Sequence, residues 1–395
     1  MPEYVIVGGG PAGHSAAKTL VEEGAHDILL LSRDPDPPYD RTAVTKSYLH
    51  GDITHEQALL DAPEWYAQNG VELRVRTSAT KLDTAARTLT LADRSTVDYG
   101  RLLLATGANV HRLRIDGAAL SGIHYLRTLR TADEVREDVE DAGHVVLVGG
   151  SYIATEVAAT LTSLGKRCTI VMQEDVTLER AFGKRAGGFF QRVLEEHQVQ
   201  VHGGQDVARF EGEGRVSTVV TKAGDRYEAD AVVVGAGVHP DVTLARAAGL
   251  ELGERGGVLV DSRLRASAPG IWAAGDVAEY ESVVHGGARM RIEHWDVAEQ
   301  QGRSAALSML GRDHVHDAVP YFFSDLADWV SMEYVGPAYS WTEELVRGSL
   351  DDGEFTVYYL DGDRLAAALT VGRSGDLDRA RELIASGEPV DRAAL

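Results

Sequence analysis

The fold is decided by residues 4–13, YVIVGGGPAG, in which four residues that favour β-structure run directly into a glycine-rich turn. Gly8, Gly10 and Gly13 form the pattern GxGxxG, and an apolar run at residues 28–31 completes a strand–helix–strand unit. Gly8 permits the tight turn, Gly10 lets the backbone approach a pyrophosphate, and Gly13 lets the helix pack closely. Because the N-terminus of that helix favours phosphate, the sequence predicts a dinucleotide site.

A second copy of this unit follows later in the chain, with strands predicted at 145–148 and 168–172 and a helix at 155–164. Its turn, GGSYIA at residues 149–154, carries Ser151 where the first unit has its central glycine. A serine narrows the space for a pyrophosphate, so binding here is expected to be weaker or shifted. Two such units in one chain predict two dinucleotides, one held permanently and one exchanged.

The ends of the second strands indicate which nucleotide binds, because a carboxylate about 20 residues beyond the turn accepts a hydrogen bond from a ribose 2′-hydroxyl. Glu174 occupies this position in the second unit, and no arginine follows until Arg180. NADH is therefore predicted in preference to NADPH, although an Arg180 that folds back would admit NADPH. In the first unit Asp34 is the predicted ribose contact, beside an unexplained Arg33.

The composition excludes several classes of function. The chain has 395 residues and a net charge of −22, so its field repels nucleic acid and anionic membrane surfaces. No apolar run is long enough for a transmembrane helix, and the first strand begins too early for a secretory leader, which predicts a cytoplasmic protein without membrane insertion. The single cysteine, Cys168, lies in an apolar run, so we expect a buried structural thiol and no disulfide or cysteine metal site.

Four further motifs accompany the two glycine turns: PYDRTAVTK at 38–46, LLATG at 103–107, VVGAGVHPD at 233–241 and IWAAGDV at 271–277. Together with the turns they resemble the ferredoxin-reductase and apoptosis-inducing-factor branch of the two-dinucleotide-binding flavoproteins, over nearly the whole chain. The resemblance implies an α/β fold with two Rossmann-like dinucleotide-binding domains and a small C-terminal α/β domain. It also implies FAD as the resident cofactor and a nicotinamide dinucleotide as the exchanged one.

The resemblance also divides the chain. It implies an FAD domain in two segments, residues 1–112 and 240–317. An NAD(P) domain, residues 113–239, is inserted between these segments, and a C-terminal domain covers residues 318–395. In the last of these, residues 355–360 and 365–371 are predicted to pair as strands, and residues 378–385 to form a short helix. An interface or dimerisation module is the alternative role for this domain, and a homodimer would then be expected.

Several polar residues of these motifs receive a role from the resemblance. Asp276 accepts from a ribitol hydroxyl of FAD, or else caps the following helix. Arg41 pairs with the FAD phosphates. Lys46 places a cation near the N5–O4 edge of the flavin, where negative charge develops as hydride arrives. Glu156 reaches back to Lys46 and flanks the nicotinamide, so these two residues are the predicted catalytic pair.

Residues 291–296, RIEHWD, resemble the stretch that lies along the flavin ring in this family. Trp295 would supply an aromatic wall there, and His294 is either a structural histidine or a proton donor. The predicted cofactor contacts are Gly8, Gly10, Pro11, Ala12, Gly13, Asp34, Arg41, Lys46, Ala79, Ala105, Thr106, Gly107, Gly149, Gly150, Ser151, Tyr152, Ile153, Glu156, Glu174, Gly235, Ala236, Gly237, Gly275, Asp276, Glu293, His294 and Trp295.

The predicted reaction is hydride transfer from NADH to FAD, after which electrons pass to a separate acceptor. The leading acceptor is a small ferredoxin- or rubredoxin-type protein. Because such partners are acidic, a protein of net charge −22 would need a local basic patch, for which Arg289, Arg291 and Arg303 are candidates. Residues 320–325, PYFFSD, resemble a family PWFWSD segment with both tryptophans replaced, which leaves the acceptor open.

Two alternatives remain at this point. An NADH oxidase, a quinone reductase or a monodehydroascorbate-type reductase would use a small-molecule acceptor. A redox-switch flavoprotein like apoptosis-inducing factor would instead couple NADH binding to dimerisation, which the altered GxSxxA turn mildly favours. Disulfide and thiol-redox chemistry is excluded, because no cysteine lies near residues 41–46, beside the flavin.

Overall fold

Two five-stranded parallel sheets form the centre of the protein, in a computed structural model that describes residues 1–393 and 395. The strands of the first sheet, in spatial order, are Ile271–Ala273, Arg101–Leu104, Tyr4–Val7, Ile28–Leu31 and Val71–Arg74. Those of the second are Gln200–His202, Arg167–Val171, His144–Val148, Ala231–Val234 and Ile123–His124. Each predicted glycine turn therefore follows the middle strand of a parallel sheet, which confirms the two Rossmann-like units.

These middle strands are apolar except for His144, as expected for strands of a sheet that is covered on both faces. Every residue of Tyr4–Val7 and of His144–Val148 is buried. Helix Pro11–Glu22 packs on the first sheet and meets helix Trp295–Met309 so closely that a Cβ at Gly302 would lie 2.2 Å from the carbonyl oxygen of Ala12. Continuous apolar strands covered on both faces are what a parallel α/β sheet requires.

Smaller sheets flank the two large ones. Two are antiparallel hairpin sheets and one is mixed: Ala79–Asp83 with Thr88–Leu91 and Thr96–Asp98, Val207–Glu211 with Thr218–Thr221 and Arg226–Glu228, and Val258–Val260 with Ala278–Ser282 and Ala288–Met290. The strands Ala108–Val110 and Val238–Pro240 pair with each other, antiparallel, beside the predicted boundaries at 112/113 and 239/240. The chain thus enters and leaves the second unit through two adjacent strands.

The C-terminal part is an antiparallel sheet with one helix on it. Its strands, in spatial order, are Tyr321–Leu326, Val330–Val335, Arg364–Val371, Glu354–Asp361 and Glu343–Ser349. Helix Gly375–Ser386 packs on the sheet through Leu377, Ala380 and Ile384. The small C-terminal α/β domain and its predicted strand pair are confirmed, and the helix is longer at its N-terminal end than predicted.

The remaining helices connect these layers: Ser47–His50, His55–Ala58, Pro63–Gln68, Leu129–Glu140, Tyr152–Ser163, Glu179–Glu196 and Thr243–Ala247. The helix predicted at 155–164 is observed at Tyr152–Ser163. It begins three residues earlier than predicted, and the residue before it, Ser151, has the extended conformation of an N-cap residue. The strand predicted at 168–172 runs from Arg167 to Val171. Within the part of the chain that the structure describes, no helix has both the length and the apolar character needed to cross a membrane.

The close approach at Gly13 gives the first testable prediction. A Cβ at Gly13 would lie 1.9 Å from the carbonyl oxygen of Gly8, and that backbone has no room to yield. We expect Gly13→Ala to lower the free energy of unfolding by about 1–3 kcal/mol, because overpacking forces the turn apart. The measurement is urea unfolding followed by circular dichroism.

The matched control is Gly188→Ala in helix Glu179–Glu196, where an added Cβ meets no atom within 4 Å among the described residues. There the same substitution should be neutral or stabilise by about 0.5–1 kcal/mol, since alanine favours a helix over glycine. Equal effects of the two substitutions would contradict the steric argument.

Candidate active site

Both glycine turns open onto one continuous cleft of about 1030 Å³. The cleft is lined by most of the predicted contacts: Gly8, Gly10, Pro11, Ala12, Asp34, Arg41, Lys46, Ala79, Ala105, Thr106, Gly107, Gly150, Ser151, Tyr152, Ile153, Glu156, Glu174, Gly237, Gly275, Asp276, Glu293, His294 and Trp295. Gly13, Gly149, Gly235 and Ala236 are predicted contacts that do not line it. Predicted contacts from both dinucleotide-binding units therefore line the same cleft.

The first glycine of each turn acts through close packing. Gly8 has φ +129°, and a Cβ there would lie 1.9 Å from the carbonyl oxygen of Ala105. Gly149 has φ +115°, and a Cβ there would lie 2.4 Å from the carbonyl oxygen of Gly235. Both turns are thus closed by contact with a neighbouring strand end, which a side chain would prevent.

The first turn has the geometry of a phosphate cradle. A Cβ at Gly10 would meet only Nε of Arg41, at 3.9 Å, so the backbone there is open to the cleft beside a guanidinium group. Helix Pro11–Glu22 begins at this point and directs its unpaired N–H groups toward the same space. Open backbone, a helix N-terminus and an arginine fit the pyrophosphate of a dinucleotide.

Arg41 and Asp34, predicted to contact phosphate and ribose separately, also bind each other. Arg41 Nη2 donates to Asp34 Oδ2 at 2.6 Å, and Tyr39 donates its hydroxyl to the same oxygen at 3.2 Å. Burial lowers the pKa of Arg41, but the adjacent Tyr39 and Asp34 outweigh it and the net pKa is raised. The pair fixes the guanidinium beside the turn, and Tyr39 is a supporting residue that the sequence analysis did not single out.

Arg33 also has a structural explanation. Its Nη1 donates to Asp241 Oδ2 at 2.8 Å and its Nη2 to Asn109 Oδ1 at 2.7 Å. Asn109 lies in strand Ala108–Val110, and Asp241 directly follows strand Val238–Pro240. Arg33 therefore contacts both places at which the chain passes between the two units.

Asp276 pairs with an arginine that sequence analysis missed. Arg127 Nη2 donates to Asp276 Oδ2 at 2.8 Å, and the backbone carbonyl of Arg127 accepts from Arg41 Nη1 at 3.1 Å. Arg127 precedes Thr128, the N-cap of helix Leu129–Glu140, and carries no motif of its own. Asp276 lies inside the short helix Gly275–Val277, whose N-cap is Ala274, so it does not cap that helix.

Lys46 and Glu156 meet where the two units join. Lys46 Nζ lies 3.5 Å from Glu156 Oε1 and 3.4 Å from Asp325 Oδ2, so it stands between two carboxylates. The buried Glu156 accepts from the hydroxyl of Thr45 at 2.6 Å and from that of Ser324 at 2.5 Å. Thr45, Ser324 and Asp325 were not named as site residues, although they lie inside the two motifs quoted at 38–46 and 320–325.

Aromatic rings surround this pair. The ring of Phe323 lies 5.3 Å from Lys46 Nζ and is 38% exposed at the opening of the cleft. Tyr152 packs on Phe322 with ring centroids 4.5 Å apart, and His294 also packs on this phenylalanine, with centroids 4.7 Å apart. Aromatic rings therefore lie beside the pair, next to the hydroxyl groups and the second carboxylate that contact it.

His294 has a buried Nδ1 atom without a hydrogen-bond partner among the described residues. Burial lowers the pKa of His294 to about 4, so the imidazole is neutral near pH 7. Its neighbour Glu293 accepts from Arg291 Nη1 at 2.5 Å, and burial raises the pKa of that carboxyl. As a proton donor His294 would have to act as a neutral imidazole.

The ribose end of the second unit shows an ion pair. Arg180 folds back so that its Nε lies 2.5 Å from Glu174 Oε1, and both residues line the cleft. The side chain of Glu174 is 16% exposed, whereas that of Arg180 is 75% exposed. Arg180 thus folds back as the NADPH alternative requires, but it is paired with Glu174, the more buried of the two and the residue expected to accept from a 2′-hydroxyl.

Of the three arginines expected to form a basic patch, Arg289 and Arg291 lie close together and Arg303 does not. Arg255 Nε donates to the carbonyl of Arg289 at 3.2 Å, and Arg291 Nε donates to the carbonyl of Arg255 at 3.1 Å. Arg289 lies 3.7 Å from Glu281, and Arg291 is paired with a glutamate. Their positive charge is therefore partly neutralised, and Arg303 lies separately on helix Trp295–Met309.

A site of this kind, one cleft between two dinucleotide-binding units, defines a two-dinucleotide oxidoreductase. The family described as pyridine nucleotide-disulphide oxidoreductase matches residues 2–302, and the family described as reductase C-terminal matches residues 321–395. The chain belongs to the pyridine nucleotide-disulphide oxidoreductases, in the ferredoxin-reductase and apoptosis-inducing-factor-like branch.

Individual relatives agree over almost the full length. The ferredoxin–NAD(+) reductase component of the biphenyl dioxygenase system of Paraburkholderia xenovorans is 34% identical over 99% of this chain and 95% of its own. Rhodocoxin reductase of Rhodococcus erythropolis is 32% identical over 98% and 90%. A crystal structure of the covalent putidaredoxin reductase–putidaredoxin complex superimposes with a TM-score of 0.94 at 31% identity, covering 100% of this chain and 95% of that one.

The lowered pKa of His294 gives a second prediction. Between about pH 6.5 and pH 4 the unfolded chain takes up a proton that the folded chain does not, so the free energy of unfolding falls as pH falls. We expect His294→Asn to weaken this dependence, measured by urea unfolding at pH 7 and pH 5. His26→Asn, at an exposed position, serves as control and should leave the dependence unchanged. An unaltered dependence in His294→Asn would contradict the assignment.

Proposed function

We propose that the protein is an FAD-dependent NADH oxidoreductase that passes electrons to a small ferredoxin-type protein. The proposal rests on one observation above the others: both dinucleotide units open onto a single cleft, and Lys46 and Glu156 meet at their junction, 3.5 Å apart. Membership of the ferredoxin-reductase branch supports the same assignment.

The residues of the first unit fit FAD. The open backbone at Gly10, with Arg41 beside it, would hold the pyrophosphate, and Asp34 would accept from the ribose. Asp276 and Arg127, which line the far part of the cleft, would bind the ribitol chain. Bound FAD supplies the two-electron and one-electron redox chemistry that no amino-acid side chain here provides.

The second unit would present the nicotinamide to that site. Glu174 would bind the ribose 2′-hydroxyl of NADH, and Tyr152, which lines the cleft, would contact the coenzyme near the junction. The Lys46 ammonium lies between the carboxylates of Glu156 and Asp325, and this cation would stabilise negative charge that develops beside it. The chain therefore contributes binding, orientation and fixed charge to the reaction.

The acceptor is proposed from the relatives. Their names specify ferredoxin–NAD(+) reductase components and putidaredoxin reductase, and the superimposed structure contains putidaredoxin. Phe323 is exposed at the opening of the cleft and contacts the Lys46 site, so it would lie between the bound flavin and a docked protein. A cytoplasmic location for this reaction remains a proposal.

The direct test is anaerobic stopped-flow absorbance of the purified yellow protein mixed with NADH or NADPH. We expect bleaching of the flavin within milliseconds to seconds, faster with NADH, and re-oxidation when a ferredoxin is added. Lys46→Ala should keep its flavin and be reduced about 10- to 1000-fold more slowly, since one charge that stabilises the transition state is lost. Failure of NADH to bleach the flavin would overturn the proposed function.

Coenzyme choice gives a separate prediction. Glu174→Ala removes the acceptor for the 2′-hydroxyl and releases Arg180 to meet a 2′-phosphate. We expect kcat/KM for NADH to fall and that for NADPH to rise, so that their ratio changes about tenfold or more. Glu174→Ala with Arg180→Ala is the control and should lose the gain with NADPH. An unchanged ratio in Glu174→Ala would show that this pair does not select the coenzyme.

A further inference from the structure

The carboxylate of Glu156 is held by hydroxyl groups from two other parts of the chain. Thr45, in the first unit, donates to Oε2 at 2.6 Å, and Ser324, in the C-terminal sheet, donates to Oε1 at 2.5 Å. Glu156 itself lies on helix Tyr152–Ser163 of the second unit. Three separate segments of the fold therefore meet on one side chain.

These hydroxyls are not surface groups that reach the carboxylate by chance. Ser324 is completely buried and Thr45 is 7% exposed, while Glu156 is 8% exposed. Thr160, one turn further along the helix of Glu156, donates to the backbone carbonyl of Thr45 at 2.8 Å. The helix and the Thr45 segment are thus joined twice, which fixes the direction from which Thr45 approaches Glu156.

The hydroxyls decide where Glu156 stands relative to Lys46. At 3.5 Å the ammonium is too far from Oε1 for a short charge-assisted hydrogen bond, and Asp325 attracts the same ammonium from 3.4 Å. Lys46 alone would therefore not hold Glu156 in one position. Two hydrogen bonds from hydroxyl groups to a buried carboxylate would, because a hydrogen bond to a charged group is stronger than one between neutral groups.

We propose that Ser324 and Thr45 are positioning residues that fix the Glu156 carboxylate against Lys46, which makes the C-terminal domain part of the hydride-transfer site. The proposal rests on the proposed function, in which Glu156 and Lys46 act together. It assigns to the C-terminal sheet a role in the first half-reaction, in addition to any contact that it makes with the acceptor.

The test compares variants by anaerobic stopped-flow reduction of the flavin over a range of NADH concentrations. Ser324→Ala should lower the limiting rate of flavin reduction about tenfold and leave the dissociation constant for NADH within about twofold, as expected for loss of one hydrogen bond to a charged group. Thr45→Val should do the same, and Thr45→Ser, which keeps the hydroxyl, should restore the rate.

A double-mutant cycle separates positioning from general damage to the fold. If Ser324 acts through Glu156, Ser324→Ala should have almost no further effect on the limiting rate in a Glu156→Ala background. The control is Ser308→Ala, which removes a buried hydroxyl that accepts from the indole N–H of Trp272 at 2.8 Å and does not line the cleft. It should lower the thermal unfolding midpoint and leave the limiting rate unchanged.

The outcomes are distinct. Fast reduction of the wild type with an equally fast Ser324→Ala overturns this inference and leaves the proposed function intact. Independent, multiplicative effects of Ser324→Ala and Glu156→Ala on the limiting rate also overturn it. Absence of reduction in the wild type overturns the proposed function itself. Non-additive effects on the rate, with thermal midpoints of Ser324→Ala and Ser308→Ala lowered to a similar degree, support the positioning role.

Discussion

The Glu156 carboxylate is the charge on which the arrangement of the site depends. A buried carboxylate is stable only if hydrogen bonds and a counter-charge replace the water it has lost. Here Thr45 and Ser324 supply the hydrogen bonds and Lys46 the counter-charge. Because these partners come from different parts of the fold, one side chain joins segments of both dinucleotide units and of the C-terminal sheet.

The protein belongs to a family described by disulfide chemistry, yet its only cysteine is buried and lies away from the charged groups at Glu156. Burial raises the pKa of the Cys168 thiol to about 11, and the residue lies in strand Arg167–Val171, outside the cleft lining. The site offers fixed charges and aromatic surfaces where a disulfide reductase would offer a thiol. The electrons must then leave for a separate acceptor, which is consistent with the exposed ring of Phe323 at the opening of the cleft.

The sequence predicted those parts of the structure that a recurring residue pattern marks. Gly8 and Gly149 each begin a glycine turn where a Cβ would clash with a backbone carbonyl of a neighbouring strand end, and the spacing of the turn residues predicted both Rossmann-like units. The partners of charged residues were harder to predict, since Arg127 and Asp276 are 149 residues apart and Ser324 and Glu156 are 168 apart. Ser324 at least lies in a motif quoted from the sequence, whereas nothing in the pattern around Arg127 pointed to the site.

In the proposed function, a nicotinamide and a flavin meet at the junction marked by Lys46 and Glu156, and hydride passes directly between them. The most direct test is the rate of flavin bleaching with NADH that carries deuterium on one or the other face of C4. We expect clearly slower bleaching with deuterium on one face and a nearly unchanged rate with deuterium on the other, because a single cleft fixes which face meets the flavin. Equal rates with both labelled coenzymes and with unlabelled NADH, under conditions where bleaching itself is the slow step, would contradict it.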